Sequence, residues 1–304
     1  MRADPSLATL YTQAAQATAA GSKSFYFATR FFPADLARSA HAVYWFCRTT
    51  DDLVDECTTV EQGRADLEAW HDALRRALAE GVSEQPILRL FLDAVERHAI
   101  PAEHAFELIE GMRMDLDGVR YCTFDDLRVF CYRVASTVGL MMSHVIGFAE
   151  PARRDEGLAY AVDLGIAMQL TNILRDIGED LGRARLYLPS EEMARFGVTE
   201  EELRNGRMSG GFRELMAFQI ARARDYYQRS APGIPMLDAR GRFAVKIAAE
   251  VYSRILGQIE ANGMDSLARR AVVPAREKYW LTARIMSGPI LRHSAGRLWR
   301  AAGG

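Results

Sequence analysis

One stretch, Gln169 to Asp180, carries the residues with the clearest chemical potential. Read as a helix, it places four polar residues at i, i+3, i+7 and i+11 on one face: Gln169, Asn172, Asp176 and Asp180. Asp176 and Asp180 are neighbours at i, i+4, where unpaired like charges repel. Because Mg²⁺ takes carboxylate and amide oxygens and commonly bridges carboxylates to substrate phosphates, this stripe predicts a site for metal and phosphate.

A second stripe of the same kind lies far upstream. Its members also share one helical face, at i, i+4, i+7 and i+11: Tyr44, Arg48, Asp51 and Asp55. Apolar residues flank both stretches nearly all round, so we expect both helices to be buried, where unpartnered carboxylates are costly. Two explanations stay open. The stripes either share metal ions, or form structural networks in which Arg48 pairs with Asp51 and Arg175 with Asp176.

The composition limits the class of protein. The chain has 304 residues, 49% of them hydrophobic, and shows no break in composition, which indicates one domain over 1–304. The formal net charge of −2 gives no basic field, so we expect no nucleic-acid partner. The sequence shows neither a signal peptide nor an uncharged apolar run of about 18 residues, so it predicts a cytoplasmic protein without a membrane span.

Other familiar catalytic arrangements are missing from the sequence. The four cysteines show no C-x-x-C spacing, which is typical of reduced thiols. The six histidines are scattered and none has a zinc-binding spacing. There is no G-x-G-x-x-G after a strand and no Walker A motif, so we expect no nicotinamide cofactor and no nucleotide-binding fold.

Helical periodicity accounts for almost the whole chain. No segment alternates with period two for long, and no hairpin signal joins β-branched runs. The predicted helices cover 5–20, 34–56, 60–81, 85–98, 102–117, 123–147, 153–182, 212–230 and 238–262, with short helical turns over 188–206. The expected fold class is therefore all-α, with about ten or more helices around one core.

Three further polar segments each have two interpretations. Residues 21–24, Gly-Ser-Lys-Ser, are either a phosphate-binding helix N-terminus or a simple cap. Arg113, Asp115 and Asp117 form either a charged helix end or the rim of the site. The tail, 286–304, is basic and mildly amphipathic, and it either touches a membrane surface or is frayed.

Two acidic helices in an all-α chain allow a specific chemistry. Metal ions held by the carboxylates bind a diphosphate and stabilise it as it leaves, so that an allylic carbon–oxygen bond ionises. The apolar interior of the bundle then keeps water away from the cation. Tyr and Arg side chains near the metal ends hydrogen-bond diphosphate oxygens. This route requires no nucleophilic Ser or Cys and no catalytic His.

Five motifs occur in the order found in one known family. They are G-S-K-S-F-Y at 21–26, Y-x-x-x-R-x-x-D-D-x-V-D-E at 44–56, Y-R-V-A-S-T-V-G at 132–139, Q-x-x-N-I-L-R-D-I-G-E-D at 169–180 and R-x-Y-L-P at 185–189. Together they resemble the squalene/phytoene synthase family over roughly residues 15–280, and most of all its bacterial phytoene synthases. The departures are small: Thr49 and Thr50 precede Asp51, and Ser136 stands where relatives often have Gly.

The resemblance implies an isoprenoid-synthase-type helical bundle with a central apolar cavity. It implies Mg²⁺ or Mn²⁺ ligands at Asp51, Asp55, Asn172, Asp176 and Asp180. It implies diphosphate contacts from Gly21, Ser22, Lys23, Ser24, Tyr44, Arg48, Gln169, Arg175, Tyr252 and Arg270, with Arg269 an equal alternative for the last. Catalytic roles are implied for Asp51, Asp55, Asp176, Asp180, Arg48 and Tyr187.

The resemblance also implies a reaction. Two geranylgeranyl diphosphates would condense head to head, through a cyclopropylcarbinyl diphosphate, to phytoene for carotenoid biosynthesis. The alternative is two farnesyl diphosphates giving presqualene diphosphate, squalene or dehydrosqualene, although the small or modest residues Thr29 and His41 favour the longer substrate. A non-catalytic assembly protein is a third hypothesis, but both Asp pairs, Arg48 and Arg175 are intact. We expect a monomer or weak homodimer that touches a membrane peripherally for product release.

Overall fold

The computed structural model describes residues 6–285, apart from the side chain of Ser24. Within that range the chain is helical, and its β-type pairing is a single antiparallel bridge between Phe148 and Leu237. The helices are α1 (Leu7–Gly21), α2 (Lys23–Thr29), α3 (Ala34–Asp55), α4 (Val60–Glu80), α5 (Pro86–His98), α6 (Glu103–Leu116), α7 (Phe124–Cys131), α8 (Thr137–Ile146), α9 (Arg154–Gly182), α10 (Ser190–Arg195), α11 (Glu200–Arg204), α12 (Gly210–Ser230), α13 (Ala239–Ala261) and α14 (275–285). The all-α prediction is confirmed.

Helix α3 begins after Pro33 and buries one face along nearly its whole length. Its buried side chains include Ala40, Val43 and Phe46, and the Phe46 ring stacks on Phe91 of α5 with centroids 4.0 Å apart. Burying a large apolar side chain such as Phe or Leu stabilises the folded state by about 2 kcal/mol. The half-buried positions of the same helix are left to carry the first acidic stripe.

Helix α9 runs through the middle of the bundle and is 29 residues long. It contacts α7, α8, α11, α12 and α13, and its buried apolar residues recur at helical spacing: Ile166, Leu170, Ile173 and Ile177. Packing on this apolar face fixes the orientation of α9 about its own axis. The second acidic stripe therefore faces in one defined direction.

The chain between α7 and α8 differs from the continuous helix predicted over 123–147. One π-helical turn, Tyr132–Ser136, joins the two helices, and such turns are often associated with functional sites. The Ser136 hydroxyl donates to the carbonyl of Val162 in α9 at 2.8 Å. Gly165 makes room for the backbone of Ser136, which any larger residue would meet. The turn therefore packs α8 closely against α9.

The buried apolar side chains form two large clusters. One is built mainly on α3 to α6, and the other on α9, α12 and α13. A cavity of about 270 Å³ lies among α2, the π turn, α8, α9 and α13, and its walls are mostly apolar. This cavity confirms the expected interior of the bundle.

Two segments are long and apolar enough, by composition alone, to cross a membrane: Phe124–Ile146 and Pro151–Gly182. Residues of both line the cavity, and 61% and 44% of their most apolar windows are buried inside the bundle. Core positions therefore explain their apolar character. The basic tail, 286–304, for which a membrane contact is one interpretation, lies outside the described residues.

Candidate active site

The structure brings the two acidic stripes together around Asp115, beyond the end of the cavity that Gln169 and Asn172 line. Burial, then the neighbouring Asp55, raises the pKa of Asp51 to about 6, and Asp115 of α6 adds to this effect. Burial, then Asp176 and Asp115, raises the pKa of Asp180 to about 7. Carboxylates that lie far apart in the sequence thus influence one another's pKa through Asp115.

Two arginines from the loop after α9 bind the carboxylate of Asp55. Arg185 Nη1 lies 2.6 Å from Asp55 Oδ1, and Arg183 Nη1 lies 2.9 Å from Asp55 Oδ2. Burial alone would raise the pKa of Asp55, but these two guanidinium groups lower it. Arg185 also reaches Asp115, whose other oxygen accepts a hydrogen bond from the hydroxyl of Tyr187.

Asp176 is held in a similar way from the other side of the site. Arg175 Nε and Arg270 Nε each donate to Asp176 Oδ1 at 2.8 Å. Burial opposes ionisation, but these donors keep the pKa of Asp176 below its usual range. Arg269, the alternative to Arg270 in the sequence analysis, lies instead 3.8 Å from Asp265.

Both structural ion pairs considered in the sequence analysis are present. Arg48 Nη1 lies 3.3 Å from Asp51 Oδ2, and Arg48 Nη2 lies 2.5 Å from Asp52, while Arg175 pairs with Asp176. In the described part of the chain, no group of three or more His, Cys, Asp or Glu side chains is arranged to hold a metal ion. The arginine pairs nevertheless leave the carboxylate of Asp180 without a hydrogen bond or ion pair among the described residues, although the charge of Arg185 acts on it.

Asn172 supplies a direct test of whether a cation fits. Its Nδ2 donates to Gln169 Oε1 at 3.2 Å, but its buried Oδ1 accepts no hydrogen bond from any described residue. Leaving a buried amide oxygen unsatisfied costs about 1–3 kcal/mol. This amide oxygen and the carboxylate of Asp180, two turns further along the same helical face, are both of the oxygen type that Mg²⁺ or Mn²⁺ binds. The residues present therefore fit a divalent metal.

The upstream polar residues lie beside this site. The ring of Tyr44 stacks on Phe25 with centroids 5.2 Å apart, and Gly21 packs under the Tyr44 hydroxyl, where a larger residue would clash. Burial raises the pKa of Tyr44 to about 12, so its hydroxyl remains a donor. Ser22 caps α2 by accepting from the amide of Phe25. Lys23 is exposed, and the side chain of Ser24 lies outside the described part.

The cavity extends from this polar end along α9. Its lining on α9 runs from Asn172 and Gln169 back to Gly157, a span of about 22 Å at 1.5 Å per residue. Tyr252 of α13 lines the cavity too, next to the polar end. A long hydrocarbon can therefore lie along the helix with its polar end at the acidic stripes.

The two residues expected to favour a longer substrate occupy different places in the structure. Thr29 lines the cavity, whereas His41 stands behind it and places Nε2 2.9 Å from the Thr29 hydroxyl. Burial lowers the pKa of His41. The wall is therefore formed by a small hydroxyl residue supported by an imidazole.

The spacing of residues along the sequence does not identify every residue of the site. It predicts no role for Arg183 or Arg185, although the R-x-Y-L-P motif contains Arg185. Asp115 belongs to the site, whereas its neighbours Arg113 and Asp117 pair elsewhere, with Glu68, Glu110 and Arg64. One signal in the sequence indicates Arg185: it stands two residues before Tyr187, and both side chains bind Asp115.

Comparison with known proteins agrees with this geometry. Residues 18–277 match the Squalene/phytoene synthase family. The chain belongs to this family. A squalene/phytoene synthase family member is expected to join prenyl groups, and the matched range contains both acidic stripes, the loop with Arg185, and Tyr252.

Relatives with similar sequences are named as phytoene synthases. The 15-cis-phytoene synthase of Synechococcus elongatus is 40% identical over 285 residues, which cover 91% of this chain and 92% of that protein. The phytoene synthase of Arthrospira platensis is 40% identical over 291 residues, with 91% and 93% covered.

Solved structures of related enzymes share the fold. A dehydrosqualene synthase bound to a ligand has a TM-score of 0.85 and 30% identity, covering 92% of this chain and 96% of that one. A squalene synthase from Alicyclobacillus acidocaldarius has a TM-score of 0.77 and 28% identity, covering 85% and 96%. The isoprenoid-synthase-type bundle expected from the sequence is therefore confirmed.

Proposed function

We propose that this chain is a metal-dependent prenyltransferase that condenses two geranylgeranyl diphosphates head to head to phytoene. The observation that carries the proposal is the meeting of Asp51, Asp55, Asp176 and Asp180 at the polar end of a long apolar cavity. The names of the relatives support the same substrate and product. On this proposal the enzyme belongs to carotenoid biosynthesis.

The residues of the chain would divide the work as follows. Mg²⁺ or Mn²⁺, held by Asp51, Asp55, Asn172, Asp176 and Asp180, would supply the positive charge that stabilises the departing diphosphate. Arginine and tyrosine side chains around these ligands would donate hydrogen bonds to diphosphate oxygens: Tyr44, Arg48, Arg175, Tyr187, Tyr252 and Arg270. Gln169 and residues 21–24 would complete the polar end.

The cavity walls would protect the allylic cations. The lining side chains on α8 and on α9 beyond Gln169 are almost all apolar, so water finds few partners there. Farnesyl diphosphate, giving presqualene diphosphate or a C30 hydrocarbon, is the second candidate substrate, since the dehydrosqualene and squalene synthases share the fold. The cavity along α9 and the small Thr29 in its wall favour the longer chain.

Peripheral contact with a membrane belongs to the same proposal. Phytoene is a hydrocarbon and partitions into lipid, so a cytoplasmic enzyme would release it at a membrane surface. The described surface exposes Tyr279 and Trp280 of α14, with 60% and 57% of each side chain accessible, and Trp280 lies beside Arg284. Flotation with anionic liposomes tests the contact. Absence of binding with and without product would refute it.

A product assay tests the reaction. Purified protein with Mg²⁺ is incubated with geranylgeranyl or farnesyl diphosphate separately, without NADPH, and the extracted products are identified by mass. We expect a C40 polyene from the first substrate, and loss of turnover in Asp51→Ala and Asp176→Ala with helical content retained. Asp225→Ala, which removes an exposed carboxylate of α12, is the matched control. Near-normal rates in either site variant would refute the metal-dependent mechanism, and no product from either substrate would favour a non-catalytic protein.

A further inference from the structure

We infer that Arg185 is an intramolecular competitor for the metal site. Without a diphosphate it occupies Asp55 and Asp115, and it releases them when diphosphate oxygens become available as acceptors. The inference rests on the metal-dependent function proposed above and concerns how that site is loaded. It makes the binding of metal and of diphosphate strongly coupled.

The geometry of Arg185 is that of a bridge between two helices. Its Nη1 lies 2.6 Å from Asp55 Oδ1 of α3, and its Nη2 lies 3.1 Å from Asp115 Oδ2 of α6. The side chain is only 15% exposed, so solvent screens these contacts weakly. A planar guanidinium with two charge-assisted hydrogen bonds is a strong and well-defined cation at this position.

The remaining oxygens of the two carboxylates are also occupied. Asp55 Oδ2 accepts from Arg183 Nη1 at 2.9 Å, and Asp115 Oδ1 accepts from the hydroxyl of Tyr187. Every oxygen of Asp55 and Asp115 thus has a donor. The positive charge of Arg185, held against both carboxylates, therefore opposes the approach of a divalent ion to either of them.

Two polar side chains of α9 have oxygens that accept no hydrogen bond from the described part of the chain. The Asn172 Oδ1 is buried and accepts nothing, and no described residue donates to the carboxylate of Asp180. These two oxygens are open to a cation, whereas Asp55, Asp115 and Asp176 each already face an arginine. Metal ions alone meet an incomplete ligand set and bind weakly.

The loop that carries Arg185 is shaped for this contact. Ala184, between the two arginines, has a φ of +59°, a left-handed conformation that costs a non-glycine residue about 1 kcal/mol or more. The amides of Arg183 and Arg185 both donate to the carbonyl of Asp180, at 3.0 and 2.8 Å. The arginines are thus anchored to the C-terminal end of α9, and rotation of their side chains suffices to reach a diphosphate at the metal site.

Diphosphate offers Arg185 a better partner. Its oxygens carry more charge than a carboxylate and match the guanidinium fork, and once Arg185 has turned towards them a divalent ion can take Asp55 and Asp115. Each ligand then strengthens the binding of the other by the same factor. The wild-type enzyme should bind Mn²⁺ much more tightly with inorganic diphosphate than without it.

Titration of Mn²⁺, with free Mn²⁺ followed by electron paramagnetic resonance, tests this without any turnover. Wild type, Arg185→Gln and Arg207→Gln are compared with and without inorganic diphosphate. Arg207 forms one exposed ion pair with Glu202, 2.9 Å long, and is the matched control. For Arg185→Gln we expect Mn²⁺ alone to bind about tenfold more tightly than to wild type, and most of the enhancement by diphosphate to disappear.

A merely structural Arg185 would behave in the opposite way. If Arg185→Gln bound Mn²⁺ alone equally or more weakly than wild type, the inference would be wrong. Circular dichroism and metal-free thermal unfolding establish that the variant folds. If it does not fold, Arg185→Lys takes its place, in which one ammonium group replaces the guanidinium fork. We then expect a smaller gain in affinity for Mn²⁺ alone than for Arg185→Gln, and no gain would overturn the inference. Wild type that shows the coupling but forms no polyene would refute the proposed reaction alone.

Discussion

The amide of Gly178 in α9 donates to the carbonyl of Ser266 at 3.0 Å, so the loop before α14 rests directly on the central helix. The carbonyl of the next residue, Leu267, lies against the Cα of Gly178, where a Cβ would clash with it. This close approach carries Arg270 to Asp176. A glycine with no catalytic group therefore positions one of the cations of the site.

Gly178→Ala should weaken both the fold and the site. The new methyl group meets backbone rather than a flexible side chain, so the loop must shift, and we expect a net loss of about 1–2 kcal/mol despite the better helix propensity of Ala. Urea denaturation measures it, and KM for the diphosphate should rise as Arg270 moves. Gly257→Ala, in open space on α13, is the control and should be neutral or stabilising.

Filling the cavity should change substrate preference. Ala161 lines the cavity about three quarters of the way from Asn172 to Gly157, so Ala161→Phe would block the part beyond it. We expect kcat/KM for geranylgeranyl diphosphate to fall about tenfold or more, with a smaller loss for farnesyl diphosphate. Ala159→Phe, at an exposed position of the same helix, should change neither. If kcat/KM fell equally for both substrates in Ala161→Phe, the cavity would not determine the preferred chain length.

Removing the orphaned oxygen of Asn172 should separate metal binding from folding. Asn172→Ala loses one hydrogen bond to Gln169 and one unsatisfied buried oxygen, so the metal-free protein should unfold at a similar temperature. Its affinity for Mn²⁺ should fall by about tenfold or more, which a titration measures directly. The exposed Asn205→Ala is the control. An Asn172→Ala variant that bound Mn²⁺ like wild type would exclude this residue as a ligand.

The raised pKa of Asp180 predicts an unusual pH dependence for the metal-free protein. Its pKa is about 7 in the folded protein and about 3.9 when unfolded, so the folded state binds the extra proton and stability falls as pH rises from about 4 to about 7. The charges around it are Asp176, Asp115 and Glu179, with Arg185 opposing them.

Asp180→Asn should remove this loss of folding stability between about pH 4 and about pH 7. In EDTA, its melting temperature should exceed that of wild type by a margin that grows from pH 5 to pH 7 and is constant above. Asp225→Asn, at an exposed position with an ion pair of 3.8 Å, should show no such trend. A variant less stable than wild type at pH 8 would contradict the raised pKa.

Local patterns were enough to predict much of the site. Helical spacing placed Asp51 and Asp55 on one face and Asp176 and Asp180 on another, because 3.6 residues per turn is a property of the backbone alone. The same periodicity predicted an all-α chain. It did not predict the π turn at Tyr132–Ser136, since a single turn of five residues is too short to show a period of its own.

The spacing of residues along the sequence does not predict which side chains of distant segments come into contact. The sequence determined which side chains stand on each helical face, because that depends on residues a few positions apart. Only the tertiary structure decided that Arg185 bridges Asp55 and Asp115, and that Arg270 rather than Arg269 meets Asp176. The physical reason is that these contacts depend on how α3, α6 and α9 pack, and packing is set by the shapes of buried side chains and by close approaches such as the one at Gly178.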